Sequence, residues 1–232
     1  MSTPDFRAVE QEMEPKLAAL RDEVFQNEKL FKRIEAVYQS PDKASLTPEQ
    51  QRLVWLHYTD FVRAGARLDP AGKARVAAIN QRLATLYTTF GQNLLADEEG
   101  YATVIAEAAG LAGLPDSFRA AAAAEAEGRG QKGRWVIANT RSSVEPFLTY
   151  STRRDLREQV WRNFISRGDH PGAHDNKPLS SEILGLRAER ARLLGYATHA
   201  HWRLENSMAT TPERAMELME AVWKPALARV RE

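Results

Sequence analysis

The chain has 232 residues, 43% hydrophobic and 27% charged, an ordinary balance for a folded chain with room for one or two cores. Lys and Arg number 32 against 31 Asp and Glu, so a formal charge of +1 gives no electrostatic case for nucleic acid or an anionic membrane as partner. Cysteine is absent, which excludes disulfides, thiolate metal sites and cysteine nucleophiles. The opening MSTPDFRAVEQEMEP lacks the basic region and apolar core of a signal peptide, and no stretch approaches the ~20 apolar residues of a membrane span, so a cytoplasmic location is expected.

In chain order, Val9, Met13, Leu17, Leu20 and Val24 recur at helical spacing within 6–26. Pro15 falls inside that pattern, so a kink is expected there, or a helix that begins near Glu14. Leu30, Phe31, Ile34, Val37 and Tyr38 predict a second helix ending before Ser40-Pro41. Thr47-Pro48-Glu49-Gln50 has the form of a capping box with proline at the first helical position, and the helix it starts runs to about Ala66. Asp69-Pro70 starts another, whose stripe Val76, Ile79, Leu83, Leu86, Phe90 and Leu94 is the cleanest in the chain. From Pro70 to Leu95 that helix would be roughly 40 Å long.

The pattern changes after Gly100. Tyr101 to Ile105 and Trp135 to Ala138 favour strand, and an alanine-rich helix of about 115–127 lies between them. A small ribbon in a helical protein is expected. Ser151 to Ser166 returns to helix with Leu156, Val160, Trp161 and Phe164 inward, and 167–176 is a loop rich in Gly, Pro, Asp and Asn. Within 181–194, Leu184, Ala188, Ala191 and Leu194 make an apolar stripe flanked by Leu186 and Leu193. Gly195 is placed to stop this helix, Thr198 to cap a short one carrying Trp202 and Leu204, and Thr211-Pro212-Glu213 to start the last. Pro225 is expected to interrupt that last helix.

The literal residues go further than the periodicity. LRAERARLLGY followed by a small helix and MA-x-TPE resembles a segment of the thimet oligopeptidase and peptidyl-dipeptidase family of zinc metallopeptidases, and most of all its bacterial peptidyl-dipeptidases. LTPEQQRLVWLHYTDFVRAGARLDPAGKARVAAINQRLATLYTTFGQNLLADE is similar to the family's amino-terminal helical region, and EPFLTYSTRRDLREQVWRNFISRG to the segment between the two. The resemblance implies an all-α fold, an antiparallel helical bundle with at most a small β-ribbon, as an incomplete part of a larger peptidase. It divides the chain into an amino-terminal helical region (1–98), an alanine-rich helix with short β segments (99–150) and a helical region leading toward the catalytic domain (151–232). It also implies zinc as cofactor and short peptides as substrates of the complete enzyme.

Family catalysis depends on HExxH, two histidines on one helix face with a glutamate that activates zinc-bound water. The histidines here are His57, His170, His174, His199 and His201, and none is followed by glutamate. His170 and His174 have the i, i+4 separation, but Pro171-Gly172 between them opposes a helix. His199 and His201 would point ~200° apart on one. No catalytic, cofactor-binding or metal residue is therefore assigned, no zinc is expected on this chain alone, and the chain reads as the amino-terminal portion of the enzyme. A standalone helical interaction module derived from such an enzyme is the alternative, and an unrelated helical bundle a third reading. Unpartnered apolar stripes predict self-association.

Overall fold

Local capping chemistry decides where most helices begin. The computed structural model describes residues 3–232. Among them, ten α-helices and two short strands run in the order α1 (Pro4–Phe25), α2 (Glu28–Gln39), α3 (Pro48–Arg63), α4 (Pro70–Gly100), β1 (Thr103–Ile105), α5 (Asp116–Gly128), β2 (Trp135–Ile137), α6 (Arg141–Tyr150), α7 (Arg154–Ile165), α8 (Lys177–Leu193), α9 (His199–Leu204) and α10 (Pro212–Val230). The expected all-α class with a small ribbon is what the chain adopts. At α3 the capping box is complete: the Gln50 N–H donates to Thr47 Oγ1 at 3.3 Å, and the Thr47 N–H donates to Gln50 Oε1 at 3.0 Å. Asp69 starts α4 by accepting from the Gly72 N–H at 2.7 Å.

The chain forms two compact units, Met1–Leu86 with Glu182–Glu232, and Tyr87–Ser181, and it crosses between them within α4 and again within α8. In the first unit, Phe31, Phe61 and Ala66 form a buried cluster joined by Phe25, Ile34, Tyr58 and Val62. The rings of Phe25 and Phe61 lie 4.8 Å apart, and those of Tyr38 and Tyr58 stack at 3.8 Å. Val76, Ile79, Leu83 and Leu86 of the α4 stripe are all buried. Two bidentate pairs run from α4 to α8: Arg75 to Glu189 and Arg82 to Glu182, each at 2.6 and 2.8 Å. As residue numbers rise on one helix they fall on the other, so these segments are antiparallel.

In the second unit, β1 and β2 pair antiparallel with Val104 opposite Val136. Ile105 and Ile137 enter a core with Leu111, Leu114, Ala122, Val144, Phe147 and Val160. Phe118, Trp135, Leu148, Leu156 and Phe164 close around it.

Several expectations need correction. The first helix begins at Pro4, capped by Thr3, and continues through Pro15 instead of starting near Glu14. The last continues through Pro225. An interior proline deletes one backbone hydrogen bond from a ladder of many, a local cost that a long helix absorbs. α4 extends past Leu95 to Gly100. α6, which spans Arg141–Tyr150 and contains Pro146, was not expected as a helix. Trp161 is exposed, because Val160 takes the inward position of α7. On α8 Ala191 of the expected stripe is buried, but at the start of the helix Ile183 takes the inward position, Leu184 is 64% exposed and Ala188 is exposed too.

Candidate functional site

The turn from α8 to α9 concentrates polar chemistry in the first unit. α8 closes in a Schellman arrangement: the Gly195 N–H donates to the Arg192 carbonyl at 3.0 Å and the Tyr196 N–H to the Ala191 carbonyl at 2.9 Å. Gly195 has φ +84° with nothing within 4 Å of a would-be Cβ, so conformation and not space calls for glycine. Thr198 then caps α9 by accepting from the His201 N–H at 3.3 Å.

Arg63, the last residue of α3, is buried beneath this turn. Its guanidinium donates to the Glu205 carboxylate and to the Trp202 carbonyl. Trp202 returns the contact through its indole Nε1–H, which donates to the Arg63 carbonyl at 3.1 Å. The Tyr196 hydroxyl donates to the same Glu205 carboxylate at 2.6 Å. Burial, and then the negative charge of Glu205, push the Tyr196 phenol up to about 12. Arg190 lies with its guanidinium carbon 4.6 Å from the Trp202 ring centre and donates to Asn80 Oδ1 at 2.7 Å. Asn80 passes the contact on, donating to Asp22 Oδ1 at 2.8 Å. Burial raises the Asp22 carboxyl against the opposing pull of Asn80, Arg190 and Arg21.

His199 sits at the edge of this network, 5.5 Å from the Trp202 ring. Burial, and then repulsion from Arg187, Arg190 and Arg203, lower its imidazole to about 4. At neutral pH it is an uncharged ring among guanidiniums, a setting that repels a metal cation. His201 faces elsewhere: Nδ1 is 2.8 Å from Thr198 Oγ1, and Nε2 is 3.9 Å from Glu213.

The other histidines do not converge either. His57 is exposed on α3. In the second unit the 167–176 loop seats on the end of α4: the Gly168 N–H donates to buried Asp97 at 2.7 Å, and the Asn93 amide donates to Asn176 Oδ1 at 2.8 Å. This loop places His170 flat on Tyr101, with ring centres 4.1 Å apart, and His174 Nδ1 at 3.7 Å from Asp97. The two rings thus have separate partners. Among the described residues, no group of three or more His, Asp or Glu could hold a metal ion, and no helix is long and apolar enough to cross a membrane. A shallow depression beside α5 is floored by Ala120, Ala123 and Ala124 and edged by Trp135 and by Lys132, which lies 3.6 Å from Glu127.

Sequence reasoning singled out His199 and His201 in this stretch and missed Arg63, Glu205, Asn80 and Asp22. The available signal was placement: Arg63 follows Phe61 and Val62 at the buried end of its helix, where a charge needs a fixed partner. The arrangement is a clamp that fixes the α8–α9 turn; it presents no nucleophile beside a base.

Comparison with known proteins adds lineage. Residues 147–232 match the family model described as Peptidase family M3. The chain is 32% identical over 226 residues to the dipeptidyl carboxypeptidase of Salmonella typhimurium, covering 97% of this chain and 33% of that protein. It is 31% identical over 240 residues to the probable cytosolic oligopeptidase A of Arabidopsis thaliana, covering 99% and 34%. Against the oligopeptidase A of Salmonella typhimurium the figures are 31% over 229 residues, 97% and 34%. The chain spans about a third of the length of the curated relatives it matches. It is homologous, at the level of the family, to the M3 peptidases and oligopeptidases A.

Proposed function

We propose that these residues are a non-catalytic helical part of a zinc-dependent M3 peptidase that hydrolyses short peptides and releases dipeptides from their carboxyl ends. One observation carries this reading: identity of about a third to a dipeptidyl carboxypeptidase runs through 97% of the chain while occupying 33% of that enzyme. The residues present do not fit a catalytic zinc. His199 is ringed by arginines, and His170 and His174 are turned to Tyr101 and Asp97. No hydrolytic step is therefore assigned to these side chains. Their part is to hold helices in register, through the Arg63–Glu205 clamp and the paired α4 and α8 segments.

The test replaces the matched third of the Salmonella dipeptidyl carboxypeptidase with this chain and follows a short peptide by mass spectrometry, with zinc and then with chelator. Chelator-sensitive release of dipeptides is expected from the chimera and none from the 232-residue chain. Turnover by the chain alone would overturn the reading, as would a folded, zinc-loaded chimera that leaves peptides intact. The exposed apolar faces of α1 and α10 favour a second reading, a helical interaction module derived from such an enzyme. An inactive chimera is the outcome that reading predicts.

A further inference from the structure

α10 carries a broad apolar surface in the first unit that its own fold leaves in water. None of the 19 residues from Pro212 to Val230 is buried. Leu218 is 68% exposed and Trp223 64%, and Met216, Met219, Val222, Leu227 and Val230 are exposed with them. At ~100° per residue these side chains fill an arc of roughly 180°, from Leu218 round to Leu227. Only Arg229 intrudes on it, and Glu213, Arg214, Glu217, Glu220, Lys224 and Arg231 occupy the remainder.

The helix is nonetheless well built. Thr211 accepts from the Arg214 N–H at 3.3 Å, Pro212 occupies the first helical position and Glu213 supplies an acid in the first turn. Large exposed apolar patches mark interaction surfaces. The width of this one decides between partners. A second copy of α10 meeting it in a two-helix seam would use a narrow stripe, the a and d positions alone, whereas a helix apolar over half its circumference is covered from more than one side. The alignment with the longer relatives covers nearly all of this chain, and α10 lies inside the 147–232 family match, so the same helix belongs in proteins about three times as long.

We infer that α10 is a docking surface whose occupant is the remaining two thirds of an M3 peptidase, with Met219, Val222 and Trp223 at the centre of the contact. The inference rests on the proposed function and extends it from lineage to a named surface.

The experiment compares amide hydrogen exchange of α10 in the isolated chain and in the chimera. Expected is exchange at least about 100-fold slower in the chimera, with that protection lost in Val222→Glu. In the isolated chain Val222→Glu leaves the melting temperature unchanged, because the side chain it replaces is already in water. A second chimera exchanging only Pro212 to Val230 into the Salmonella enzyme, with the same readout, covers the case in which the larger exchange does not fold. Equal exchange rates in isolated and joined chains would overturn the inference. So would a discrete dimer of the isolated chain that protects α10 and is abolished by Val222→Glu, since the occupant would then be a second copy. Protected amides without peptide cleavage would sink the peptidase reading and leave the docking surface standing; cleavage with unprotected amides would do the reverse.

Discussion

At the scale of single residues, Arg63 is a buried cation held by two acceptors, the Glu205 carboxylate and the Trp202 carbonyl. Arg63→Met keeps the aliphatic packing and removes both bonds, and should cost about 2 kcal/mol. Glu205→Gln keeps a neutral acceptor and should cost less, about 1 kcal/mol. Urea midpoints of the two variants check the order, and equal losses would mean that the carboxylate charge carries the clamp. His199 links the same region to pH. Its folded value of about 4 lies below the ordinary 6.5, so between those limits the unfolded chain binds more protons. Its contribution to stability is therefore complete above about 6.5 and declines as pH falls toward 4. Asp22, raised by burial, works in the opposite sense from its ordinary 3.8 upward, so the difference between wild type and His199→Gln isolates the imidazole. Unfolding free energies at several pH values from 4 to 7 should show a flatter profile for His199→Gln, and parallel profiles would refute the assignment.

At the scale of elements, what was legible in the sequence was local chemistry. The Thr47 box, the Thr198 and Thr211 caps and the Gly195 stop each depend on groups a few residues apart, so their spacing alone reveals them. Thr47→Ala should accordingly cost about 1 kcal/mol in a thermal or urea melt. Glycines look alike in sequence and differ in the fold. Gly195→Ala should cost about 1 kcal/mol for the left-handed backbone alone, since its Cβ meets nothing. Gly113, with φ +85°, would place a Cβ 2.4 Å from the Tyr150 carbonyl oxygen, so Gly113→Ala should cost about 3 kcal/mol or more. A Gly113→Ala variant as stable as Gly195→Ala would contradict this close approach. What was not legible depended on distant partners. RSSVEPFLTY shows too few apolar repeats around Pro146 to announce α6, which is fixed by Val144 and Phe147 entering the second unit's core. On α8 the inward position of Ala191 was legible, but at its start Leu184 and Ile183 are equally apolar and only the tertiary fold selects Ile183. The site followed the same rule: the Arg63 clamp joins residues 139 and 142 positions apart, beyond the reach of any spacing pattern.

At the scale of the whole molecule, burial is uneven. Phe147 is fully enclosed in the second unit, and Ile79 and Leu83 in the first, while the stripe of α1 from Phe6 through Met13 and Leu20 to Val24 faces water together with α10. Phe147→Ala should therefore cost about 4 kcal/mol, a loss read from the urea midpoint. The outward stripes of α1 and α10 contribute little to either core and offer adhesive surface instead. The isolated chain should melt cooperatively below about 65 °C. Its mean mass by sedimentation should rise gradually with concentration and not settle at one oligomer, because the exposed faces on α1 and α10 differ in width and set no single closed symmetry. Charged substitutions on both faces, Leu17→Glu with Val222→Glu, should suppress that rise without lowering the melting temperature. A monodisperse monomer melting well above 65 °C would mean that these faces are satisfied within the chain itself, and the docking surface would fall with the association.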